Sequence, residues 1–300
     1  MNSYANFTTR KGNVTLFYRF TSALLILALS VTQIIPNAFA QSISPLNLPV
    51  PGTMVTTSEA FVPVLLKGMT INPKDPFHFD FIVDSGNTSF ANEDIKKESD
   101  RLVKYFLASM TVPKNDLWVN LAPGEKDRII PEELGKTELG RDLLAQDYIL
   151  KQLSSSLMYP DSELGAKFWE RVYSQAREKY GVTDIPLNTF NKVWILPDSA
   201  TVYEHANSVY ITESHLKVMM DEDYKSEQGT VVSEQSEESQ STVHSPLTTA
   251  IMKEIILPAI EKEVNIGKNF APLRQIYHSL ILAKWYNETV KQSILSQVYV

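Results

Sequence analysis

The apolar residues of this chain recur with two different periods. A period of two covers the second half of residues 61–84, where aromatic residues alternate with mostly polar ones, and it predicts a strand with one buried aromatic face. An apolar run precedes it, and the turn-forming segment NPKDP joins the two. The sequence therefore predicts a β-hairpin over residues 61–84. Its alternating positions are Phe77, Phe79, Phe81 and Val83.

A period near 3.6 predicts amphipathic helices in the middle and at the end of the chain. Gly181 stands where a left-handed helix C-cap belongs. Pro258 should kink or split the first C-terminal helix, because an internal proline loses one hydrogen bond and clashes with the preceding turn. The predicted helices cover residues 92–110, 137–158, 162–180, 246–264 and 272–298.

Three short runs rich in Val, Ile, Tyr and Trp lie between residues 191 and 213. The dipeptides DS and AN separate them, which is typical of a three-stranded meander. The next segment, HLKVMMDEDY, is predicted as a short helix. We therefore expect an α+β fold with a mixed or antiparallel sheet, built from the 61–84 hairpin and the 191–213 meander. Helices should pack on one face, and the C-terminal helical pair should be separate or loosely docked.

Composition divides the chain into five predicted segments. Residues 1–40 are a signal peptide, 41–60 an extended arm rich in Pro, Ser and Thr, and 61–224 the α+β domain. Residues 225–245 contain no aromatic residue and read as a disordered acidic linker. Residues 246–300 form a helical segment whose apolar end, VYV, suggests a truncated chain.

The first forty residues predict export. They carry Arg10, Lys11 and Arg19, no acidic residue, an apolar core from about Leu24, and a small-x-small site that predicts cleavage after Ala40. The core is short for a bilayer span, and an uncleaved anchor is the alternative. No other stretch approaches the length of a span, so no membrane span is expected after cleavage. The predicted location is periplasmic or secreted.

Charge and cysteine content narrow the classes of function. Three of the 28 basic residues lie in the signal, which leaves 25 basic against 35 acidic residues and a net charge of −10 after cleavage. An acidic surface disfavours nucleic acid as a partner. The chain has no cysteine, which excludes disulfides, thiolate metal sites and Cys nucleophiles.

Two short motifs resemble catalytic or phosphate-binding sequences, and each has a simpler interpretation. Asp84-Ser85-Gly86 follows a predicted strand, as in aspartic proteases, but the pair of aspartates that such an enzyme needs requires a second copy in the chain or the pairing of two identical all-β chains. No second copy occurs, and a predicted helix starts soon after Gly86 where an all-β chain would continue as hairpins, so we predict a turn. The segment LGKTELG lacks the first glycine of a phosphate-binding loop, and Thr137 is predicted to cap a helix instead.

The histidines do not form a metal motif. They stand at positions 78, 205, 215, 244 and 278, without helical ligand spacing. His205 and His215, each near a glutamate, could approach one another across the meander, but solvent-facing strand residues explain them equally. No metal and no cofactor are predicted. A Ser-His-Asp hydrolase is not excluded, because triads need not be visible in sequence.

The densest polar stretch lies between residues 118 and 147. A buried polar group must be hydrogen-bonded or it costs stability. The interpretation we favour is a structural network that fixes the 111–136 connection onto the 137–158 helix; the alternative is a hydrolase or small-ligand site. Its candidate residues are Trp118, Glu125, Asp127, Arg128, Arg141, Asp142, Gln146 and Asp147.

Long blocks of the chain resemble a group of uncharacterised exported proteins of environmental bacteria. These blocks include EKDRIIP, TELGRDLLAQDYILKQ and GKNFAPLRQIYHSLILAKWY. The resemblance implies export and a shared architecture over most of residues 60–300, and it implies no activity. The sequence therefore favours a non-enzymatic structural or interaction role, with another envelope protein as the expected partner.

Overall fold

Four antiparallel strands form one sheet in the described part of the chain. The computed structural model describes residues 48–49, 55–72, 74–87, 92–111, 132–158, 163–181, 193–227 and 246–298. The strand order is β2-β1-β4-β3. This architecture confirms the predicted α+β class and decides between the two predicted sheet types in favour of the antiparallel one. The strands are β1 (Leu65–Asn72), β2 (Asp75–Asp84), β3 (Val193–His205) and β4 (Ser208–Met220).

The predicted hairpin is present as β1 and β2, and its aromatic face is buried only in part. Phe79 and Phe81 pack against Phe106, with ring centroids 5.6 Å and 5.0 Å away. The prediction for Phe77 was wrong, because its side chain is 80% exposed. The alternation holds for Phe79 and Phe81 but not for Val83, which is 38% exposed. Phe77 lies near the tip of the hairpin, beyond the helices that cover the face.

The Asp84–Asn87 segment is a turn. The Gly86 N–H donates to Asp84 Oδ1 at 3.0 Å, and Gly86 has φ of +56°. Asn87 holds the preceding chain: the Val62 N–H donates to its Oδ1 at 2.7 Å, and the Asn87 N–H donates to the Val62 carbonyl at 2.9 Å. A Cβ at Gly86 would lie 2.2 Å from that carbonyl, so glycine is required here for both conformation and space.

The predicted meander of three strands is a hairpin of two long ones, and the sheet extends past residue 213. Asp198 lies in a β-bulge of β3, where the register shifts between Pro197 and Ser199. β4 continues to Met220, so the helix predicted for HLKVMMDEDY was wrong over its first six residues. The physical reason is the alternation of Leu216, Val218 and Met220, which bury one face of β4.

The middle helices agree with the periodicity to within two residues. Gly181 has φ of +69°, and its N–H donates to the Arg177 carbonyl at 3.0 Å, as expected for a left-handed C-cap. These helices are α1 (Asn92–Ser109), α3 (Glu138–Met158) and α4 (Glu163–Tyr180); a short helix that was not predicted, α2 (Glu132–Gly135), precedes α3.

The C-terminal helices belong to the main core, so the expected loose docking was wrong. Ile276 and Leu282 are buried in the same hydrophobic cluster as Leu66 and Phe106. The residues before Pro258 form a π-helical turn, in which the Leu257 N–H donates to the Met252 carbonyl. The elements are α5 (Asp221–Glu227), α6 (Pro246–Ile251), the π turn (Met252–Ile256), α7 (Leu257–Ile266) and α8 (Ala271–Val298).

The predicted acidic linker begins later than expected. Residues 225–227, assigned to the linker, are the end of α5, and residues 228–245 lie outside the described residues. No helix within the described ranges combines the length and apolar character that a bilayer crossing requires.

Side chains of α7 cover the edge of β4 that faces away from β3, beyond the point where β1 stops pairing with it. β1 pairs with β4 only through residues 68–70. Farther along β4, the Asn265 amide accepts from the Leu216 N–H at 2.9 Å and donates to the Leu216 carbonyl at 2.8 Å. Glu261 Oε2 accepts from the Val218 N–H at 2.9 Å. These side chains replace strand pairing and protect the edge.

Candidate functional site

Half of the predicted polar cluster lies in the described structure, all of it on α3. Asp142 is half-buried, while Gln146 and Asp147 are buried. Asp147 forms an ion pair with Lys151, one turn farther along the same helix. The described members are Arg141, Asp142, Gln146 and Asp147, and the residues outside the described ranges are Trp118, Glu125, Asp127 and Arg128.

Asp142 contacts a tyrosine that was not among the predicted polar residues. The Tyr105 hydroxyl donates to Asp142 Oδ2. Tyr105 lies on the buried face of α1 and is fully buried. One turn away, Lys104 pairs with Glu138 at 3.0 Å, so α1 and α3 are joined by two polar contacts. The 3.6 period places Tyr105 among the apolar residues of α1. Its hydroxyl was therefore not predicted to take part in a polar contact.

The same junction extends to α8 through Arg101. Its Nη2 donates to Glu98 Oε1 and, at 2.9 Å, to Gln275 Oε1. Gln275 Nε2 donates to Glu98 Oε1 at 2.8 Å and to the Val64 carbonyl at 2.9 Å. The Arg101 guanidinium carbon lies 5.7 Å from the Tyr105 ring centroid. We call this set, with Asp142, the junction network; it joins α1, α3, α8 and the segment before β1.

Burial governs the protonation of the junction network. It raises the pKa of Tyr105 far above its ordinary value, so this hydroxyl is a permanent donor at physiological pH. Burial also raises the pKa of Asp142, while the Tyr105 hydrogen bond and the Arg101 charge oppose that rise. Donor and acceptor are therefore paired with each other, as expected of groups that serve packing. Within the described residues, the buried Arg101 Nε is the member of the network that has no hydrogen-bond partner.

Gln146 lies in the middle of the leucine face of α3, as its position in the sequence predicted. The side chain is almost fully buried, and its Oε1 has no hydrogen-bond partner among the described residues. The prediction that a buried polar group here is hydrogen-bonded stays a prediction for the Gln146 Oε1 atom. Among the described residues, no hydrogen bond joins Gln146 to the Tyr105–Asp142 pair.

Sequence reasoning missed a buried polar stripe on α8. Positions 274, 275, 278 and 279 follow helical spacing and lie on one face, which is a signal the sequence carried. A stripe of this kind is normally read as solvent-facing. Here it faces the protein interior. Its residues are Arg274, Gln275, His278 and Ser279, all buried.

Arg274 makes three hydrogen bonds to backbone carbonyls. Its Nη1 donates to the carbonyls of Val264 and Gly267, both at 2.8 Å, and its Nη2 donates to the Phe61 carbonyl at 2.7 Å. Burial lowers the pKa of Arg274 to about 10, and the charge of Glu263 opposes that shift. The guanidinium is therefore still charged at neutral pH. It holds the C-terminal end of α7 to the segment that leads into β1.

Glu263 fixes the same segment from the other side. Its Oε2 accepts from the Ser58 N–H at 2.8 Å, and its Oε1 accepts from the Ser58 hydroxyl at 2.6 Å and from Asn269 Nδ2 at 2.9 Å. A Cβ at Gly267 would lie 2.2 Å from this carboxylate. Glycine is therefore needed at position 267 so that the glutamate can reach Ser58.

His278 bridges β1 and β4 where their pairing ends. Its Nδ1 lies 3.1 Å from the Leu66 carbonyl, and its Nε2 lies 3.1 Å from the Ser214 hydroxyl. Because a carbonyl only accepts, Nδ1 carries the proton and Nε2 accepts from Ser214. Side chains of the stripe thus donate to three backbone carbonyls of residues 61–66 that would otherwise need a hydrogen-bond donor from a neighbouring strand. The donors are Arg274, Gln275 and His278.

The Ser214–His278 pair has the spacing of a nucleophile and its base, but its environment does not suit that chemistry. Burial lowers the pKa of His278 to about 4, and its side chain is only 3% exposed. A general base works best with a pKa near the operating pH. The pair is better explained as a hydrogen-bonded bridge between the strands.

Nowhere in the described ranges do three or more His, Asp or Glu side chains come together in a way that could hold a metal ion.

Compared with known proteins, the chain matches no protein-family model, no curated protein and no solved structure.

Proposed function

We propose that this chain is an exported, non-enzymatic protein that acts by binding another protein of the bacterial envelope. The observation that supports the proposal most is a row of exposed apolar side chains on the outer face of the sheet, opposite the helices. Helices α1 and α8 pack on the other face, where Phe106 and Tyr286 contact Phe79 and where Met69 is fully buried. The proposal therefore assigns one face of the sheet to stability and the other to contact.

The register of the strands builds this row. Gly68 pairs with Ile82 on one side and with Tyr210 on the other, and Tyr210 pairs with Tyr203. The three side chains are 43%, 40% and 62% exposed, in the order Ile82, Tyr210, Tyr203. We call these four residues the outer row. Exposed aromatic residues that are neighbours, rather than scattered, are characteristic of contact surfaces.

Gly68 shapes the outer row. A Cβ there would lie 2.4 Å from the Val209 carbonyl and 3.2 Å from Cδ1 of Ile82. The glycine therefore lets Ile82 lie close to β1 and gives a flat surface from β2 to β3. A flat apolar strip with tyrosine hydroxyls suits an apolar protein surface that also offers hydrogen-bond partners.

The next row along the sheet is polar and supplies the rim of the proposed contact. Thr70 pairs with Asp80 and Ser208 in the register, and Ser208 pairs with His205. The hydroxyls of Thr70 and Ser208 lie 2.8 Å apart. An apolar centre with a polar rim is the usual arrangement of protein interfaces.

The junction network supports the non-enzymatic part of the proposal. A catalytic carboxylate should point into a concave site where substrate can reach it. Asp142 instead accepts from a fully buried tyrosine that lies against Arg101. Within the described residues, the strongest candidate for chemistry is therefore engaged in helix packing.

Site-specific photo-crosslinking in the cells that produce the protein tests the proposed contact. Tyr203→p-benzoylphenylalanine should give one discrete crosslinked product, because position 203 lies at the exposed end of the outer row. The matched control is Gln175→p-benzoylphenylalanine on α4, which is exposed but outside the row. The same products at both positions, or none at position 203, would contradict the proposal.

Export is part of the same proposal and has its own measurement. Intact-mass analysis of the protein from the producing cells should give a chain that begins at Gln41. A retained N-terminus would point to an anchor in the inner membrane instead.

A further inference from the structure

Strand β3 is an edge of the sheet within the described part of the chain. It pairs with β4 from Val193 to His205, and no described strand pairs with its other side. Residues 197–201 and 203–205 are exposed, and Val202 is half-buried. An exposed strand edge is a template on which a further strand can form, so proteins usually protect such an edge.

One half of this edge is protected and the other half is not. Pro197 has no N–H to donate, and Asp198 lies in a bulge of β3. Residues 199–205 contain no proline and no lysine, and the second register shift of the hairpin places its extra residue, Thr212, in β4. The segment 199–205, which we call the open edge, is therefore a regular strand without these devices.

The backbone of the open edge presents hydrogen-bonding groups to a further strand. His205 pairs with Ser208 across a two-residue turn. Residues that close such a turn exchange both hydrogen bonds, and along the hairpin these pairs alternate with pairs that exchange none. The N–H and C=O groups of residues 200, 202 and 204 therefore point away from β4.

The open edge is complementary to a second copy of itself. An antiparallel pair centred on Val202 sets Val202 opposite Val202, Thr201 opposite Tyr203 and Ala200 opposite Glu204. Residues 200, 202 and 204, whose backbone groups point outward, form the hydrogen-bonded pairs of this register. No two like charges lie opposite each other. The aromatic side chain meets a β-branched one, which is a favourable cross-strand pair.

Neighbouring registers are less favourable. Centring the pair on Thr201 sets Asp198 opposite Glu204, and like charges opposite each other destabilise a strand pair. Any centre before Thr201 draws the bulge into the pair, and centring on Tyr203 shortens the paired segment to residues 201–205. The side-chain pattern of β3 therefore selects the register centred on Val202.

The exposure of Tyr203 fits this pairing. Its side chain is 62% exposed, although Tyr210 lies opposite it on β4. In the pair, Thr201 of the second copy covers the side of Tyr203 that faces away from Tyr210. Tyrosine is enriched among the side chains that become covered at protein interfaces.

We infer that two copies of this chain pair through the open edge and form one continuous antiparallel sheet of eight strands, four from each copy. The two-fold axis is perpendicular to the sheet, so the outer rows of both copies lie on the same face. A partner that offers two sites would then bind more tightly than through one row. That consequence rests on the proposed function, whereas the pairing rests on the open edge alone.

Sedimentation velocity of the purified protein tests the pairing. The contact of one strand pair is small, so we expect a reversible monomer–dimer equilibrium with a Kd of about 100 μM or tighter. A protein that stays monomeric up to about 500 μM would overturn the inference.

A charge at position 200 tests the register. Ala200→Glu places a carboxylate opposite Glu204 of the second copy, twice in each dimer, and should weaken the dimer at least about threefold. Ala200→Lys places an ammonium group there and should strengthen the dimer about threefold. When Glu204→Lys is added to each variant, the two effects should exchange.

The matched controls are Gln175→Glu and Gln175→Lys on α4, which change the net charge equally at an exposed position. Ala200 and Glu204 are exposed as well, so thermal unfolding should show that every variant stays folded. Equal shifts from the Gln175 controls, or the same shift from both Ala200 variants, would overturn the inference.

The pairing and the proposed contact are distinguishable. A crosslinked product at position 203 that contains a different protein reports the proposed contact, whereas a product with the mass of two chains reports the pairing. A monomeric protein in sedimentation leaves the first product unaffected, and a missing partner leaves the monomer–dimer equilibrium unaffected.

Discussion

Replacing Arg274 by methionine should destabilise the fold more than a typical substitution. The change keeps an unbranched apolar stem and removes the guanidinium with its three hydrogen bonds, to the carbonyls of Phe61, Val264 and Gly267. Each bond from a charged donor is worth about 1.5–3 kcal/mol, and bonds made by one group are not additive. Removal of the buried charge recovers part of its desolvation cost. We therefore expect a loss of about 3 to 5 kcal/mol in the free energy of unfolding.

Urea denaturation followed by circular dichroism measures this loss. With a slope of about 2–3 kcal/mol per molar urea for a chain of this size, the midpoint should fall by about 1 to 2.5 M. Arg274→Lys should be intermediate, because an ammonium keeps the charge but lacks the planar fork that reaches three carbonyls.

The control for Arg274→Met is Arg171→Met on α4, where the side chain is exposed. It should change the free energy of unfolding by no more than about 0.5 kcal/mol. A loss below about 1 kcal/mol at Arg274 would refute the reasoning, because it would show that the three carbonyls find other partners at little cost.

Two further predictions concern His278 and Gly86. Burial lowers the pKa of His278 to about 4, so between pH 6.5 and 4 the unfolded chain binds more protons than the folded protein, and the free energy of unfolding decreases as the pH is lowered. In His278→Gln, about 2 to 3 kcal/mol of this decrease should be absent from the free energies of unfolding measured by urea denaturation across that pH range. An unchanged pH dependence would contradict this. Gly86→Ala should lower stability by about 2 kcal/mol or more, because its φ of +56° and the nearby Val62 carbonyl exclude a Cβ; a midpoint within error of the wild type would contradict it.

The elements that the sequence predicted correctly are those whose burial follows from local periodicity. The helices α1, α3 and α4 and the β1–β2 hairpin each carry a regular apolar face, and the Asp84–Asn87 turn carries residues that favour turns. In these segments the local pattern and the tertiary environment agree. Local pattern was therefore sufficient to give the class of fold.

The errors have a common physical cause, which is burial supplied by residues distant in sequence. The end of β4 was predicted as helix, because nothing near Leu216 shows that Asn265 will satisfy its backbone. The stripe on α8 was missed for the same reason, since the carbonyl that His278 meets lies 212 positions away at Leu66. Polar residues with such partners have no signature in a single sequence.

The sequence singled out Asp142 as a polar candidate, and the structure shows its carboxylate bonded to Tyr105 of α1, a partner that was not predicted. Sequence reasoning could not identify Tyr105 or Gln275, because one lies on an apolar face and the other in a distant helix. The prediction of a network with the 111–136 connection stays a prediction, because residues 112–131 lie outside the described residues.

The central claim is that Asp142 serves the packing of α1, α3 and α8 and not chemistry, and the thermal unfolding of Asp142→Ala tests it most directly. The substitution leaves the fully buried Tyr105 hydroxyl without its acceptor, at a cost of about 1–3 kcal/mol. The melting temperature should therefore fall by about 3 to 10 °C, while Asp100→Ala, at an exposed position of α1, should leave it nearly unchanged. A functional site often gains stability when its charged residue is removed. A melting temperature of Asp142→Ala equal to or above that of the wild type would contradict the account.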